Sequence, residues 1–149
     1  AAHNMLGQDV LMDIMRAALE TTNSWTYTST YRQANANAAN QLDVVIGVAE
    51  VLVSVTVNAI ASGDAANLAM HVSIGQDSTS TPMAGVRGMQ GNSNVAARRL
   101  QITATGLVFP AVGRHTYVWL EAGDTTTTFY GDDGAATTAQ SGISGWVEG

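Results

Sequence analysis

The residue types that most often do chemistry are sparse in this chain, and its histidines show no metal-ligand spacing. His3, His71 and His115 lie far apart, and none forms a His-Glu-x-x-His pattern. His71 alternates with apolar residues and His115 begins a strand-like stretch, so structural or surface positions are favoured. A metal or pH-sensing cluster would require histidines from several copies of the chain to meet on a symmetry axis.

Two short motifs resemble catalytic or metal sites but depart from them. Gly142-Ile143-Ser144-Gly145-Trp146 begins like a Gly-x-Ser-x-Gly nucleophile turn, yet Trp146 replaces the final glycine. Gly131-Asp132-Asp133-Gly134 lacks the spaced oxygens of an EF-hand loop, so a polar hairpin turn is favoured over weak calcium binding between subunits. The chain has no cysteine, and its carboxylates form no glycosidase-like motif. The sequence therefore predicts neither an enzyme nor a cofactor.

The charge composition argues against two classes of partner. The formal net charge is -6, and all six basic residues are arginines. Without a basic stripe the chain is not expected to bind nucleic acid, and an acidic chain is repelled by anionic lipid. No apolar run is long enough to span a membrane. Charged residues make up only 12% of the chain, which favours a surface that other copies or a partner partly cover.

The N-terminal segment, residues 5–20, predicts the one long helix. Leu6, Val10, Ile14 and Ala17 recur at helical spacing, and Asn4 could cap the first turn. Further apolar residues widen this stripe: Met5, Leu11, Met12, Met15 and Leu19. We expect residues 1–20 to form a helix or arm that crosses the domain or docks on a neighbour. The second half of the segment could instead be the first strand.

From residue 21 onwards the pattern has a period of two, which is typical of β-strands. The clearest alternation runs from Ala49 to Val57, where valines alternate mostly with polar residues. Similar runs occur at 25–31, 42–46, 68–74, 100–104, 117–122, 125–130 and 143–147. Residues 75–94 are polar and glycine-rich, and they predict a long connection. The predicted fold class is all-β, a single antiparallel jelly-roll sandwich of about eight strands over residues 21–149.

The aromatic residues of these strands have three possible roles. Most strand aromatics pack in a core, but tryptophan and tyrosine are also favoured where subunits meet. Tyr117, Trp119 and Trp146, together with His71, are therefore candidates for a contact between copies of the chain. Stacking against sugars is the third alternative.

Four segments carry a resemblance to a known group of proteins. They are LETTNSWTYTSTYRQA at 19–34, HTYVWLE at 115–121, TFYGDDG at 128–134 and QSGISGWVEG at 140–149. The chain resembles small tailed-phage virion proteins with a trimeric, tumour-necrosis-factor-like jelly roll. The resemblance covers most residues after 18, and its motifs are turn and strand patterns. It implies a capsid cement (decoration) protein, a head fibre or a receptor-binding knob.

Within that group, the few residues before the first strand favour a cement protein, because fibres and knobs carry a long shaft. The resemblance then implies a homotrimer on the outer capsid surface, bound to the major capsid protein. The candidate capsid contacts are Met5, Leu6, Val10, Leu11, Ile14 and Met15 of the apolar arm, with Arg87, Arg98 and Arg99. A receptor- or carbohydrate-binding knob of a phage fibre is the alternative.

Overall fold

The structure is a computed structural model that describes residues 2–3, 9–10, 14–63, 69–91, 98–135 and 137–148. Within those ranges it is all-β, and the one helical element is a short 3-10 turn at Ala34–Ala36. No helix there is long and apolar enough to cross a membrane. The all-β prediction is confirmed.

Eight strands form the body of the fold. They are β3 (Ile14–Leu19), β6 (Gln41–Ile46), β7 (Val53–Ser62), β8 (Ala69–Gln76), β9 (Gly88–Gly91), β10 (Arg99–Val108), β11 (Gly113–Gly123) and β13 (Gly142–Val147). Shorter strands accompany them: β1 (Ala2–His3), β2 (Asp9–Val10), β4 (Ser24–Thr26), β5 (Arg32–Gln33) and β12 (Thr128–Tyr130). β1 and β2 pair only with each other within the described ranges.

The eight main strands pair from the ends of the chain inwards. β3 pairs with β13, β6 with β11, β7 with β10 and β8 with β9, all antiparallel. These pairs fall alternately into two sheets, with orders β3-β13-β7-β10 and β6-β11-β8-β9. A long antiparallel hairpin rolled over itself gives this order, which is the jelly roll. The predicted sandwich is therefore confirmed, and its first and last main strands, β3 and β13, are neighbours.

The core lies between the two sheets and follows the alternation of β7. Val53, Val55, Val57, Ala59 and Ala61 point inwards and are fully buried. Across the core they meet residues of β8 and β11: Met70, Val72, Ile74, Tyr117 and Trp119. At one side the two sheets are so close that a side chain at Gly88 of β9 would collide with the backbone of Thr103 in β10.

The helix predicted over residues 5–20 is not found in the described part of the chain. Ile14–Leu19 forms a strand, which was the alternative for its second half. The prediction failed because Met15, Ala17 and Leu19 also share one side at a spacing of two, and their register with β13 provides the pairing. β3 thus belongs to the first sheet. Residues 4–8 and 11–13 of the predicted helix lie outside the described residues, and the boundary at residue 20 stays a prediction.

Two other segments differ from the sequence interpretation. The stretch 75–94, predicted as a connection, contains β9, whose partner is the start of β8. The strand predicted over 25–31 is limited to Ser24–Thr26, and β5 follows it at Arg32–Gln33. β9 was not predicted because it consists mostly of glycine and polar residues with little alternation. Its pairing depends on the neighbouring strand and not on its own hydrophobic pattern.

Two buried carboxylates fix the connection between β3 and β6. Glu20 accepts hydrogen bonds from the Thr22 backbone and from the amides of Asn37 (3.1 Å) and Asn40 (2.8 Å). Burial raises the pKa of Glu20, but these hydrogen bonds outweigh it and lower the pKa to about 2. Because the loop supplies the donors, ionised Glu20 holds it in place.

The second carboxylate, Glu121, is fully buried on β11. It accepts hydrogen bonds from the Trp25 indole at 2.8 Å and from the Asn35 backbone at 3.0 Å, and it pairs with Arg32 at 3.0 Å. Burial raises its pKa, although all three donors stabilise the charged form. The Trp25 ring stacks against Phe129 and meets Trp119 edge-on, so this charge is surrounded by aromatic packing.

Replacing Glu20 by glutamine should lower the free energy of unfolding by about 1–3 kcal/mol. The cost arises because the substitution replaces charged hydrogen bonds and leaves amide donors unpaired. Urea unfolding at neutral pH measures it. Glu50→Gln, at an exposed position, is the matched control and should cost less than about 0.5 kcal/mol. Equal losses in the two variants would show that Glu20 does not hold the loop.

The difference in unfolding free energy between wild type and Glu20→Gln should depend on pH. A carboxyl group whose pKa is depressed on folding contributes stability that is complete above its ordinary pKa of 4.5. That contribution is lost as the pH falls towards about 2. The difference between wild type and Glu20→Gln should therefore shrink steadily across this window. A difference that stays constant down to about pH 2.5 would contradict the assignment.

Candidate assembly surface

The titratable groups of the described ranges form no metal-binding cluster. No group of three or more His, Asp or Glu side chains there could hold a metal ion. His115 bridges two loops, since its ring nitrogens lie 2.7 Å from Asp77 Oδ2 and 2.8 Å from the Ala111 carbonyl oxygen. The hydrogen bond to Asp77 and that to Ala111 raise the pKa of His115. These contacts link the β8–β9 and β10–β11 loops, which is a structural role.

The outer side of the first sheet is a rectangle of uncharged positions. The register of β3, β13, β7 and β10 aligns its residues in three rows of four. The rows are Met15, Trp146, Ser54 and Leu107; then Ala17, Ser144, Thr56 and Thr105; then Leu19, Gly142, Asn58 and Thr103. We call these twelve positions the uncharged face. Their side chains point away from the core because the alternate residues of β7 and β10 are buried.

Four polar side chains of the uncharged face form two hydrogen-bonded pairs. The hydroxyls of Thr56 and Thr105 lie 3.2 Å apart, and Thr103 donates to Asn58 at 2.9 Å. Polar groups that already have partners cost little to remove from water. The face can therefore be covered without leaving these groups unpaired.

The edge of the uncharged face is apolar. β3 has only β13 as a neighbour among the described strands, and Met15 and Leu19 on it are 75% and 57% exposed. Exposed strand edges with apolar side chains invite pairing with another chain unless something protects them. The edge and the uncharged face together have the character of a subunit interface with few charges.

A second apolar surface lies where β6 and β10 end and β7 and β11 begin. The loops at 47–52 and 109–112 meet at this end of the sandwich. We call it the apolar end; its exposed large apolar residues are Val45, Val48, Leu107, Phe109 and Val112, and the exposed Glu50 lies in the 47–52 loop beside them. Phe109 and Val112 are 64% and 62% exposed. Since Val147 pairs with both Ile14 and Val53, β3 begins at this same end.

The four residues predicted to contact another copy lie in different parts of the fold. Tyr117 and Trp119 are fully buried within one chain, so the prediction that they contact another copy is wrong. The prediction failed because β11 is covered on both sides, so its inward-facing and its outward-facing residues are both buried. Trp146 lies half-buried in the uncharged face, whereas His71 lies on the second sheet. A contact through either residue stays a prediction.

The predicted capsid contacts do not form one cluster. Met5, Leu6 and Leu11 lie outside the described residues, while Val10 and Ile14 belong to β2 and β3. Arg99 pairs with Asp133 and stacks over the Tyr130 ring, with 4.3 Å between its guanidinium carbon and the ring centre. Arg98 is exposed, and Arg87 lies beside a groove of the second sheet. Met15 is the one described candidate within the uncharged face.

Sequence reasoning missed the small polar members of the uncharged face, above all Thr56, Thr105 and Ser144. Their signal is the absence of charge at alternate positions of four strands, which is visible in the sequence only once the register is known. Phe109 and Val112 were also missed, because they flank a proline in a loop and show no periodicity.

The fold and this surface define a jelly-roll sandwich with an uncharged outer face. No protein-family model matches the chain, and no curated protein sequence matches it either.

An arginine in the middle of the uncharged face should prevent association of the chain with itself. Thr56→Arg places a charge where a second copy would cover it, at a cost of about 3 kcal/mol or more, or about 100-fold in affinity. Size-exclusion chromatography at micromolar concentration measures the change. Thr79→Arg adds the same charge in an exposed loop and should leave the elution volume unchanged. Folding of both variants is checked by thermal unfolding. Co-elution of folded Thr56→Arg with wild type would exclude this face.

Proposed function

We propose that this chain is a structural virion protein, a capsid cement protein that binds the shell as a homotrimer and stabilises it. The observation that carries the assembly part is the uncharged face, in which Thr56 is hydrogen-bonded to Thr105 and Thr103 to Asn58. A chain of net charge -6 would normally place charges on so large a solvent-facing surface. Coverage by other copies explains why these twelve positions carry none.

The virion location and the number three come from the resemblance to tailed-phage jelly-roll proteins. The jelly-roll strand order supports that resemblance at the level of the fold alone. A trimer would repeat every contact with the shell three times, so weak individual contacts would add to firm attachment.

The apolar end supplies the contact with the major capsid protein in this proposal. Its loop residues Val48, Phe109 and Val112 are exposed and apolar, and in this proposal they lie against the shell. β3 begins at the same end, and in this proposal Met5, Leu6 and Leu11 add apolar side chains to the contact. The uncharged face and the apolar end share Leu107, so self-association and shell binding occupy neighbouring surfaces.

Particles of the parent phage that lack this protein should lose infectivity at a lower temperature than complete particles. Adding the purified protein back should restore resistance to heat. A double variant, Phe109→Asp with Val112→Asp, should stay trimeric but fail to bind the particles, because two charges would be buried against the shell. Thr79→Asp, in an exposed loop, is the matched control and should restore resistance fully.

The location of gold-labelled protein in micrographs separates the proposal from its alternative. Labels spread over the shell support a cement protein. Labels confined to a tail or fibre tip would favour a receptor-binding knob. Equal heat resistance with and without the protein would overturn the cement function even if the trimer exists.

A further inference from the structure

A groove of about 900 Å³ crosses the outer side of the second sheet, away from the uncharged face. Its floor includes Ala122 of β11 and His71 of β8, which are paired across the two strands. Its walls come from the segment before β5 and from the β8–β9 loop and β9, and they include Thr30, Tyr31, Arg87 and Met89. The groove thus combines two loops over a rigid sheet.

Arg87 is the one charged residue that lines this groove among the described residues. Its Nη1 donates to the carbonyl oxygens of Met83 and Val86, both at 2.8 Å. The guanidinium carbon lies 5.7 Å from the centre of the Tyr31 ring. These three contacts orient the guanidinium before any ligand arrives, which reduces the entropy lost on binding.

The charge of Arg87 has no carboxylate partner within the described ranges. Arg32, Arg99 and Arg114 each form a salt bridge there, with Glu121, Asp133 and Asp43 respectively. Among the described residues, exposed Arg87 contacts carbonyl oxygens and an aromatic ring. In an acidic chain, a cation held in a groove without a described counter-charge suits an anionic group, and the planar guanidinium matches the geometry of a carboxylate.

The other residues that line the groove indicate which further groups a ligand would carry. Ser29, Thr30 and Ser80 supply hydroxyl groups, and the His71 ring supplies a further polar group. Met89, which is 66% exposed, and Ala122 offer apolar surface beside them. A sugar ring presents hydroxyls at its rim and C–H groups on its faces, and such a mixed lining suits both.

From these contacts we infer that the groove binds a carboxylate-bearing saccharide, of the uronic or sialic acid class. The sugar carboxylate pairs with Arg87, its hydroxyls bind the serine and threonine side chains, and its apolar side lies on Met89 and Ala122. This inference is independent of the cement function, because it concerns the sheet opposite the uncharged face.

The test uses the purified full chain with three probes: oligogalacturonate, its methyl ester and sialyllactose. We expect at least one acidic sugar to bind, with NMR shifts at Met89 and Ala122, and the ester to bind at least about tenfold more weakly than the free acid. Binding should also weaken with added salt. Arg87→Gln should lose about tenfold in affinity or more, whereas Arg98→Gln, at another exposed arginine, should match wild type.

Arg87 also holds the β8–β9 loop, so Arg87→Lys is included as a second variant that keeps the charge. It should bind more tightly than Arg87→Gln, and thermal unfolding shows whether each variant is folded. Equal binding of the ester and the acid would overturn the inference, as would unchanged affinity in Arg87→Gln. Failure of both acidic sugars to bind at about 10 mM would overturn it too. A glutamate-rich peptide that binds as tightly as the sugars would replace the saccharide with an acidic protein segment.

Discussion

The alternation of β7 is the constraint on which the rest of the structure depends. β7 has neighbours on both edges, with β10 along its whole length and β13 and β12 on the other side. Its inward residues are valine and alanine, and they form the centre of the core. Its outward residues, Ser54, Thr56 and Asn58, form the middle of the uncharged face. A shift of one residue would exchange the two sets, so the core and the surface are specified together.

The jelly-roll pairing links strands from the beginning and the end of the chain to β7. β3 pairs with β13, and β13 pairs with β7, so β3 belongs to the uncharged face only through β13. The two buried carboxylates attach the loop between β3 and β6 to the sandwich. Glu20 and Glu121 gather donors from the loop between β3 and β6, where a purely apolar loop would leave backbone groups unpaired. Removing either charge would therefore affect the loop before it affects the sheets.

Much of the fold could be predicted from the sequence because alternation directly reports a strand with one buried side. The strands around Val53–Val57 and Leu100–Ala104 were visible for this reason. β11 misled the prediction because both of its sides are covered. Its outward Val118 and Leu120 are buried, and Gly75 opposite Val118 lies under the carbonyl oxygen of Ser78. From Tyr117 to Leu120 every residue is apolar or aromatic, so the pattern alone did not separate the inward Tyr117 and Trp119 from the outward Val118 and Leu120.

The candidate surfaces were harder to predict than the strands. The uncharged face joins residues from four strands spread over residues 15–146, and only the register aligns them. The groove likewise joins Tyr31 to Arg87 through tertiary packing. Period-two patterns say which side of a strand is buried, but they do not say which strands are neighbours. The resemblance to trimeric jelly rolls supplied an expected assembly, and the register shows a surface suited to it.

Sedimentation equilibrium of the purified wild-type chain at micromolar concentration tests the central claim most directly. The account predicts a single species with three times the 15.5 kDa mass of the chain. A species that stays at the mass of one chain across this concentration range would contradict it.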